Sequence, residues 1–311
     1  MILSNNDNVL KFYHNDLEVL NQWIKHIRVA IDYRNFFEHY KLVATIAEGQ
    51  YGKVTLAQSL KTDEKVATKI LTKNLIKDFK AWELFKNEID ILRLCKHKNI
   101  VKFIDNFENS EYIFIVMEYL PSGTLHNYLR SRNFEVHENI IKRITYQITE
   151  ALLYLHKFGI IHRDLKPDNI LIADSNVAES EIEVKINDFG FSKVLGENEK
   201  TNEGYGSYAF LAPEIIIRLP YNNTIDIWSL GITIYFMVAG ELPFQGLSKD
   251  ELFKNICLKD LIFAPKFKIY SMDMLSLIYH CLAKDSEKRI KLEVIKNHSW
   301  FRNFRDYEQL N

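Results

Sequence analysis

Cysteine is scarce: Cys95, Cys257 and Cys281 are the only three in 311 residues, far apart and without a Cys-x-x-Cys pair. A disulfide framework is thereby excluded, and reduced, mostly packed thiols of an intracellular protein are expected. An excess of one charge sign is lacking too. With 40 basic and 41 acidic residues the net charge is -1, so no bulk electrostatic pull toward nucleic acid is implied. Long apolar runs are missing; the best of them, such as 225–239, carry Asp226 and are too short to span a bilayer. The Asn- and Asp-rich start shows no basic segment followed by an apolar one. No secretory signal is read there, and the cytosol or nucleus is the expected setting. Internal repeats and low-complexity tracts are absent as well. The chain is 47% hydrophobic and 26% charged, which is a globular balance. Its length suffices for one large domain or for two lobes with separate cores.

Short β-branched and aromatic runs at 41–46, 53–57, 65–71, 101–107 and 112–118 predict strands. One helical pattern interrupts them over 81–95, with apolar residues at Leu84, Phe85, Ile89, Leu92 and Leu94. Pro121-Ser122-Gly123 then breaks the pattern. Beyond it helical periods dominate, at 124–130, 140–158, 226–239, 250–257, 273–283 and 292–297. The expectation is an α+β chain. Its small lobe would be a β-sheet with one helix over 40–119, followed by a hinge at 118–123, a mostly helical lobe over 124–301 and a tail at 302–311.

Two ordered strings carry chemistry. The first is Ile160-Ile161-His162-Arg163-Asp164-Leu165-Lys166-Pro167-Asp168-Asn169-Ile170-Leu171, where a carboxylate, a lysine and an amide stand between apolar anchors. Asp188-Phe189-Gly190 follows after a hairpin-sized gap. An isolated Asp or Asn is usually a turn or helix cap. Four such residues in order, however, form an apparatus for orienting a hydroxyl, clamping metal ions and moving a phosphoryl group.

From about Tyr40 to Phe301 the wording resembles the catalytic domain of eukaryotic-type protein kinases. Lys166 is the mark of the serine/threonine branch, and the overall wording is nearest the calmodulin-dependent kinase group. The resemblance implies a two-lobed fold with nucleotide in the crease, with ATP as phosphoryl donor and Mg²⁺ as cofactor. Asp164 would then orient the acceptor hydroxyl and take its proton, and Lys166 would offset charge on the γ-phosphoryl group. Asn169 and Asp188 would hold the metal. Ile46, Ala47, Glu48, Gly49, Gln50, Tyr51, Gly52 and Val54 resemble the glycine-rich loop over the phosphates. Ala47 replaces its first glycine, a methyl that would crowd the backbone or stiffen the flap. Lys69, within Val66-Ala67-Thr68-Lys69, would take the α/β-phosphates and pair with Glu88, with Glu83 as the alternative carboxylate. Met117 corresponds to the gatekeeper, and backbone groups of Glu118 and Leu120 to the purine contacts. Val54, Ala67, Leu125 and Leu171 correspond to the adenine sandwich. Leu92, Phe103, His162 and Phe189 correspond to a hydrophobic spine.

The same resemblance places an activation segment after Asp188, closed by Ala212-Pro213-Glu214, with Arg289 as partner of Glu214 and Asp226 bracing the catalytic loop. Ser207 would bond Asp164 and Lys166, and Phe191 would favour serine over threonine. Tyr208 stands where the family has proline, which leaves the pocket downstream of the acceptor open. Glu203 falls where many relatives carry an activating phosphothreonine, with Arg163 as its basic partner. A glutamate brings one charge where a phosphate brings nearly two. A solvated loop glutamate is the other reading of Glu203, and Thr201 remains a candidate phosphosite. The partner would be a protein substrate. Thr124 and Phe236 replace acidic residues that read arginine in basophilic relatives and only Asp168 is left, so strong arginine selectivity is not expected. Neither an EF-hand string nor a calmodulin-binding tail is present.

Residues 1–39 precede the match. A strand at 9–13 and an amphipathic helix at 16–31, with Trp23, Ile24 and Ile27 on one face, resemble the end of a pleckstrin-homology domain. A helical extension packed on the small lobe is the other reading. Membrane-lipid contact would require a complete lipid-binding domain elsewhere. Two rival functions stay open. One is a pseudokinase scaffold, hinted at by Ala47 and the Gly206-Ser207-Tyr208 wording. The other is a small-molecule kinase, which the full activation segment disfavours.

Overall fold

The structure, a computed structural model, describes residues 2–5, 8–11, 16, 18–19, 22–23, 34–49, 51–76, 79–178 and 181–302. They form two compact units, one of 1–75 with 105–116 and the other of 76–104 with 117–311.

In the first unit, β1 (Ile2–Asn5) and β2 (Asn8–Lys11) make a small antiparallel hairpin. Residues 9–11 of the strand expected at 9–13 belong to its second arm, and 12–13 lie outside the described residues. Of the expected helix 16–31, residues 18–19 and 22–23 are helical and Trp23 is exposed. The remainder, with Ile24 and Ile27, lies outside the described residues.

The main sheet has the order β3 (Tyr40–Gly49), β4 (Gly52–Ser59), β5 (Lys65–Thr72), β7 (Tyr112–Glu118), β6 (Phe103–Glu108). Alternation buries Val66, Thr68 and Ile70 on one face of β5 and leaves Ala67 and Lys69 half-buried on the other. The sheet core collects Ala57, Val66, Ile70, Phe107, Phe114 and Val116, and Phe36 joins them. Phe36 is 1% exposed and stacks on Phe114 at 4.4 Å, from a 3-10 turn whose N-cap is Asn35. Arg34 completes the attachment, pairing with Asp105 and lying 4.8 Å over the Phe107 ring. A boundary drawn between residues 39 and 40 therefore cuts through this packed unit.

The second unit is mostly helical: α1 (Phe79–Leu94), α2 (Leu125–Ser131), α3 (Glu138–Lys157), α4 (Pro213–Ile216), α5 (Thr224–Ala239), α6 (Lys249–Leu258), α7 (Met272–Cys281) and α8 (Leu292–Lys296). Thr124, predicted as the first residue of α2, is its N-cap, accepting from the Asn127 N–H. Helix α5 is apolar all round, and nearly every residue from Ile225 to Val238 is buried; such a helix runs through a core rather than along a surface. No helix among the described residues is long and apolar enough to cross a membrane. The three thiols are free. Burial pushes Cys95 up to about 11 and Cys281 up to about 12, so both stay protonated and inert.

Candidate active site

The string around Asp164 folds as it does because its apolar flanks are claimed by two small ladders. β8 (Ile160–Ile161) pairs with β11 (Lys193–Val194), and β9 (Ile170–Ile172) pairs with β10 (Val184–Ile186). Ile160, Ile161, Leu165, Ile170 and Ile172 are all buried, so residues 162–169 are a loop stretched between fixed ends. Asp226, fully buried at the start of α5, ties that loop down. Its Oδ2 accepts from the His162 N–H and from His156 Nε2, both at 2.9 Å, and its Oδ1 from the Arg163 N–H at 3.0 Å. Burial alone would raise this carboxyl. The His156 hydrogen bond, the two histidine charges and the His162 N–H outweigh it, and the group stays below its usual range. The bracing holds Arg163, a non-glycine residue in the left-handed region at φ 68°; Asp188 is another, at φ 62°.

Asp164 is 4% exposed, and three donors converge on its carboxylate. Lys166 Nζ reaches Oδ2 at 2.8 Å, Asn169 Nδ2 reaches Oδ2 at 2.9 Å, and the Ser207 N–H reaches Oδ1 at 2.8 Å. Lys166 also donates to Ser207 Oγ at 2.6 Å. Ser207 thus contacts Asp164 through its backbone and Lys166 through its hydroxyl. Gly206 permits the approach: it adopts φ +116°, and a Cβ there would lie 2.6 Å from the Arg163 carbonyl oxygen. His162 packs edge-on against the buried Phe189 ring at 5.1 Å.

For a metal, Asn169 and Asp188 offer hard oxygen donors. The Asn169 amide nitrogen is committed to Asp164, its carbonyl at 2.8 Å as well as its carboxylate, which leaves the amide oxygen for a cation. Among the described residues no group of three or more His, Cys, Asp or Glu converges. That sparse set fits Mg²⁺, which takes one or two protein ligands and completes its shell with water and substrate phosphates.

The stretch that follows Asp188 is held by charge. Glu203 accepts from Arg163 Nη1 at 2.7 Å and from Lys193 Nζ at 3.0 Å. Partial burial would raise its carboxyl, but these two bonds and charges hold it below its usual range. Arg163 also donates to the Phe191 carbonyl and lies 4.8 Å over Tyr205, which stacks on Phe191 at 5.5 Å. Thr201 forms an antiparallel bridge with Tyr221 and is 7% exposed, its hydroxyl 3.4 Å from Lys193 Nζ. A kinase acting on Thr201 would first have to undo that bridge. Lys193, Tyr205 and Tyr221 escape sequence reading because no spacing links them to Glu203. The β8–β11 pairing and the 201–221 bridge deliver them.

Other expected residues sort by burial. Glu88 is 1% exposed on α1 whereas Glu83 is exposed, and Asn87 Nδ2 beside Glu88 donates to the Ser192 carbonyl. Ile89, expected to dock, is only half-buried, and Ile91 takes its place in the core. Arg289 grips Glu214 with two bonds, 2.6 and 3.0 Å, in a buried pair. Met117 is buried. The Glu118 N–H is taken by the Lys102 carbonyl, so a ligand there would meet the Glu118 carbonyl or the groups of Leu120. The Glu118 side chain is itself engaged by Lys185 at 2.8 and 2.9 Å. Leu171 is half-buried between the buried Ile170 and Ile172, whereas Leu125 is 0% exposed and has no face left for a purine.

In the sheet unit, Gly49 faces Gly52 and Ala47 faces Val54 across β3–β4. Ile46, Ala47, Glu48 and Gly49 are exposed, Tyr51 is half-buried and Gln50 lies outside the described residues. Ala47 sits in paired strand without positive φ, so its methyl crowds nothing in the backbone. Gly52 is required by its own sheet: a Cβ there would meet the Ile70 carbonyl oxygen at 1.9 Å.

With this geometry in hand, comparison with known proteins is direct. Residues 40–301 match the family described as the protein kinase domain, and the chain belongs to that family. It is 33% identical over 265 residues to the SNF1-related protein kinase catalytic subunit alpha KIN12 of Arabidopsis thaliana, covering 85% of this chain and 52% of that protein. It is 34% identical over 255 residues to an Aurora kinase of Candida glabrata, covering 82% of this chain and 68% of that protein. The chain thus spans about half the length of the first relative and about two thirds of the second. These relatives support the eukaryotic-type protein kinase family at large, not the calmodulin-dependent group in particular.

Proposed function

We propose that this chain is a serine/threonine protein kinase, transferring the γ-phosphoryl group of ATP to a hydroxyl of a protein substrate. The observation that carries the reading is the convergence of Lys166, Asn169 and the Ser207 N–H on the Asp164 carboxylate. A carboxylate so held is a fixed acceptor, aimed before the substrate arrives. The acceptor O–H would donate to Asp164; as the new O–P bond forms and the bond to ADP breaks, the proton passes to Asp164. Lys166 would neutralise charge on the transferred group. Mg²⁺, bound through Asn169 and Asp188, would draw charge from the phosphates. Lys69 is assigned to the phosphates, Glu88 to support of the site, and Met117, Glu118, Leu120 and Leu171 to the base. The lysine at 166 supports a serine or threonine acceptor, as the sequence resemblance implies.

We further propose that Glu203, in the clasp of Arg163 and Lys193, keeps the activation segment ordered without phosphorylation.

Transfer from labelled ATP with Mg²⁺ to generic protein substrates tests the main reading, with the labelled amino acids identified. Asp164→Asn should fold normally and lose roughly 10²–10⁴-fold in rate. Label on tyrosine alone, or equal activity in the variant, would overturn it.

A further inference from the structure

Tyr208 is one residue from Ser207, whose N–H is bonded to Asp164, and it is 54% exposed. Its ring is met edge-on by Phe253 of α6 at 5.6 Å. Lys249, the first residue of α6, places its ammonium 4.1 Å over the Tyr208 ring and 5.3 Å from that of Phe253. Lys249 is exposed and forms no ion pair with a carboxylate among the described residues. Its neighbour Glu251 turns back to cap the Leu247 N–H at 2.8 Å, and Asp250 is exposed on the same first turn. The result is a shelf of two rings carrying a positive charge that no carboxylate among the described residues pairs, one residue along the chain from the Ser207 N–H bonded to Asp164.

A polypeptide that brings a hydroxyl to Asp164 must lay its neighbouring residues within a few ångströms, since consecutive Cα atoms are only about 3.8 Å apart. Tyr208 follows directly on Ser207, whose N–H is held at Asp164, so its backbone lies in that zone. The opposing candidate for charge reading, Asp168, is already bonded to His126 Nδ1 at 3.0 Å. Over the Tyr208 ring itself, the charge presented is the positive one of Lys249. Aromatic walls exclude part of the water around it, which strengthens its attraction for an anion.

We propose that Tyr208, Phe253 and Lys249 are specificity determinants, selecting protein substrates with an acidic side chain adjacent to the acceptor hydroxyl. The assignment rests on the kinase reading above and adds the substrate class to it. The test uses the full chain and two readouts. Binding is measured by fluorescence anisotropy with serine peptides that differ only in the flanking residue, aspartate, alanine or lysine; transfer is measured with the same peptides, ATP and Mg²⁺. The aspartate peptide should bind roughly fivefold tighter than the alanine peptide, the size of one half-exposed ion pair. Lys249→Ala should erase the ratio, and Lys249→Glu should invert it in favour of lysine. Equal binding of all three peptides by the wild type, or an unchanged ratio in Lys249→Glu, would overturn the proposal. Discrimination in binding without transfer to any peptide would leave the shelf standing and count against the kinase reading instead.

Discussion

At Glu203 two cations meet one carboxylate, yet 42% of that side chain remains open to water. The pair is screened from one side, so its strength depends on the charge of the glutamate, which pH controls. Because the folded group titrates below its ordinary value of 4.5, the stabilisation is full above that value and is lost as pH falls through the lower, folded one. Protection of the amides of residues 196–205, exchange measured against the unfolded rate at the same pH, should therefore be high at neutral pH and fall only below the usual carboxylate range. Glu203→Gln should lack that protection at every pH and, if the clasp orders the segment, lose transfer activity without any change in phosphorylation. A variant as active and as protected as the wild type would refute that role. Sequence placed Glu203 and Arg163 in the same argument because each stands at a position with a family meaning. Lys193 entered only through strand pairing, as a cation with no motif of its own.

Among the elements, α4 is a single turn, too short to persist alone, since the first hydrogen-bonded turn of a helix is its costly part. Its hold on the unit is the Glu214–Arg289 fork, buried at 7% and 0% side-chain exposure, with Arg289 Nη1 also bonding the Thr224 carbonyl at 2.9 Å. Arg289→Met would strand a buried carboxylate and should cost about 3–5 kcal/mol in denaturant unfolding. Arg289→Lys keeps the charge but not the planar fork and should cost distinctly less. Equal losses in the two variants would mean that packing, not the bidentate contact, anchors the turn. Periodicity found every one of the longer helices, because each buries one stripe or, in α5, its whole circumference. Ile89 and Ile91 lie about 200° apart around α1 and so project to opposite faces. Only the packing of α1 decides that the face of Ile91 is the covered one.

For the molecule as a whole, the match to the family begins at residue 40, but the packed sheet unit begins earlier. Phe36 packs in one buried cluster with Phe107, Phe114 and Val116. A chain starting at residue 40 should be less stable than one starting at residue 34 by about 3–5 kcal/mol, the cost of losing a buried phenylalanine. Identical thermal unfolding of the two would show that the cavity collapses. What the sequence determined by itself was the α+β class, the order of the longer strands and helices, and the residues proposed for phosphoryl chemistry. Those follow from hydrophobic period and from side-chain types that few other tasks require in that order. Tertiary structure alone decided the rest: which glycines are dictated by a neighbouring backbone, as at Gly52 and Gly206, and which apolar residues are core, as with Leu125. It also decided which charges meet, as with Lys193 at Glu203 and Lys249 over Tyr208. Those contacts join residues distant along the chain, and their distances are set by packing that no local pattern encodes.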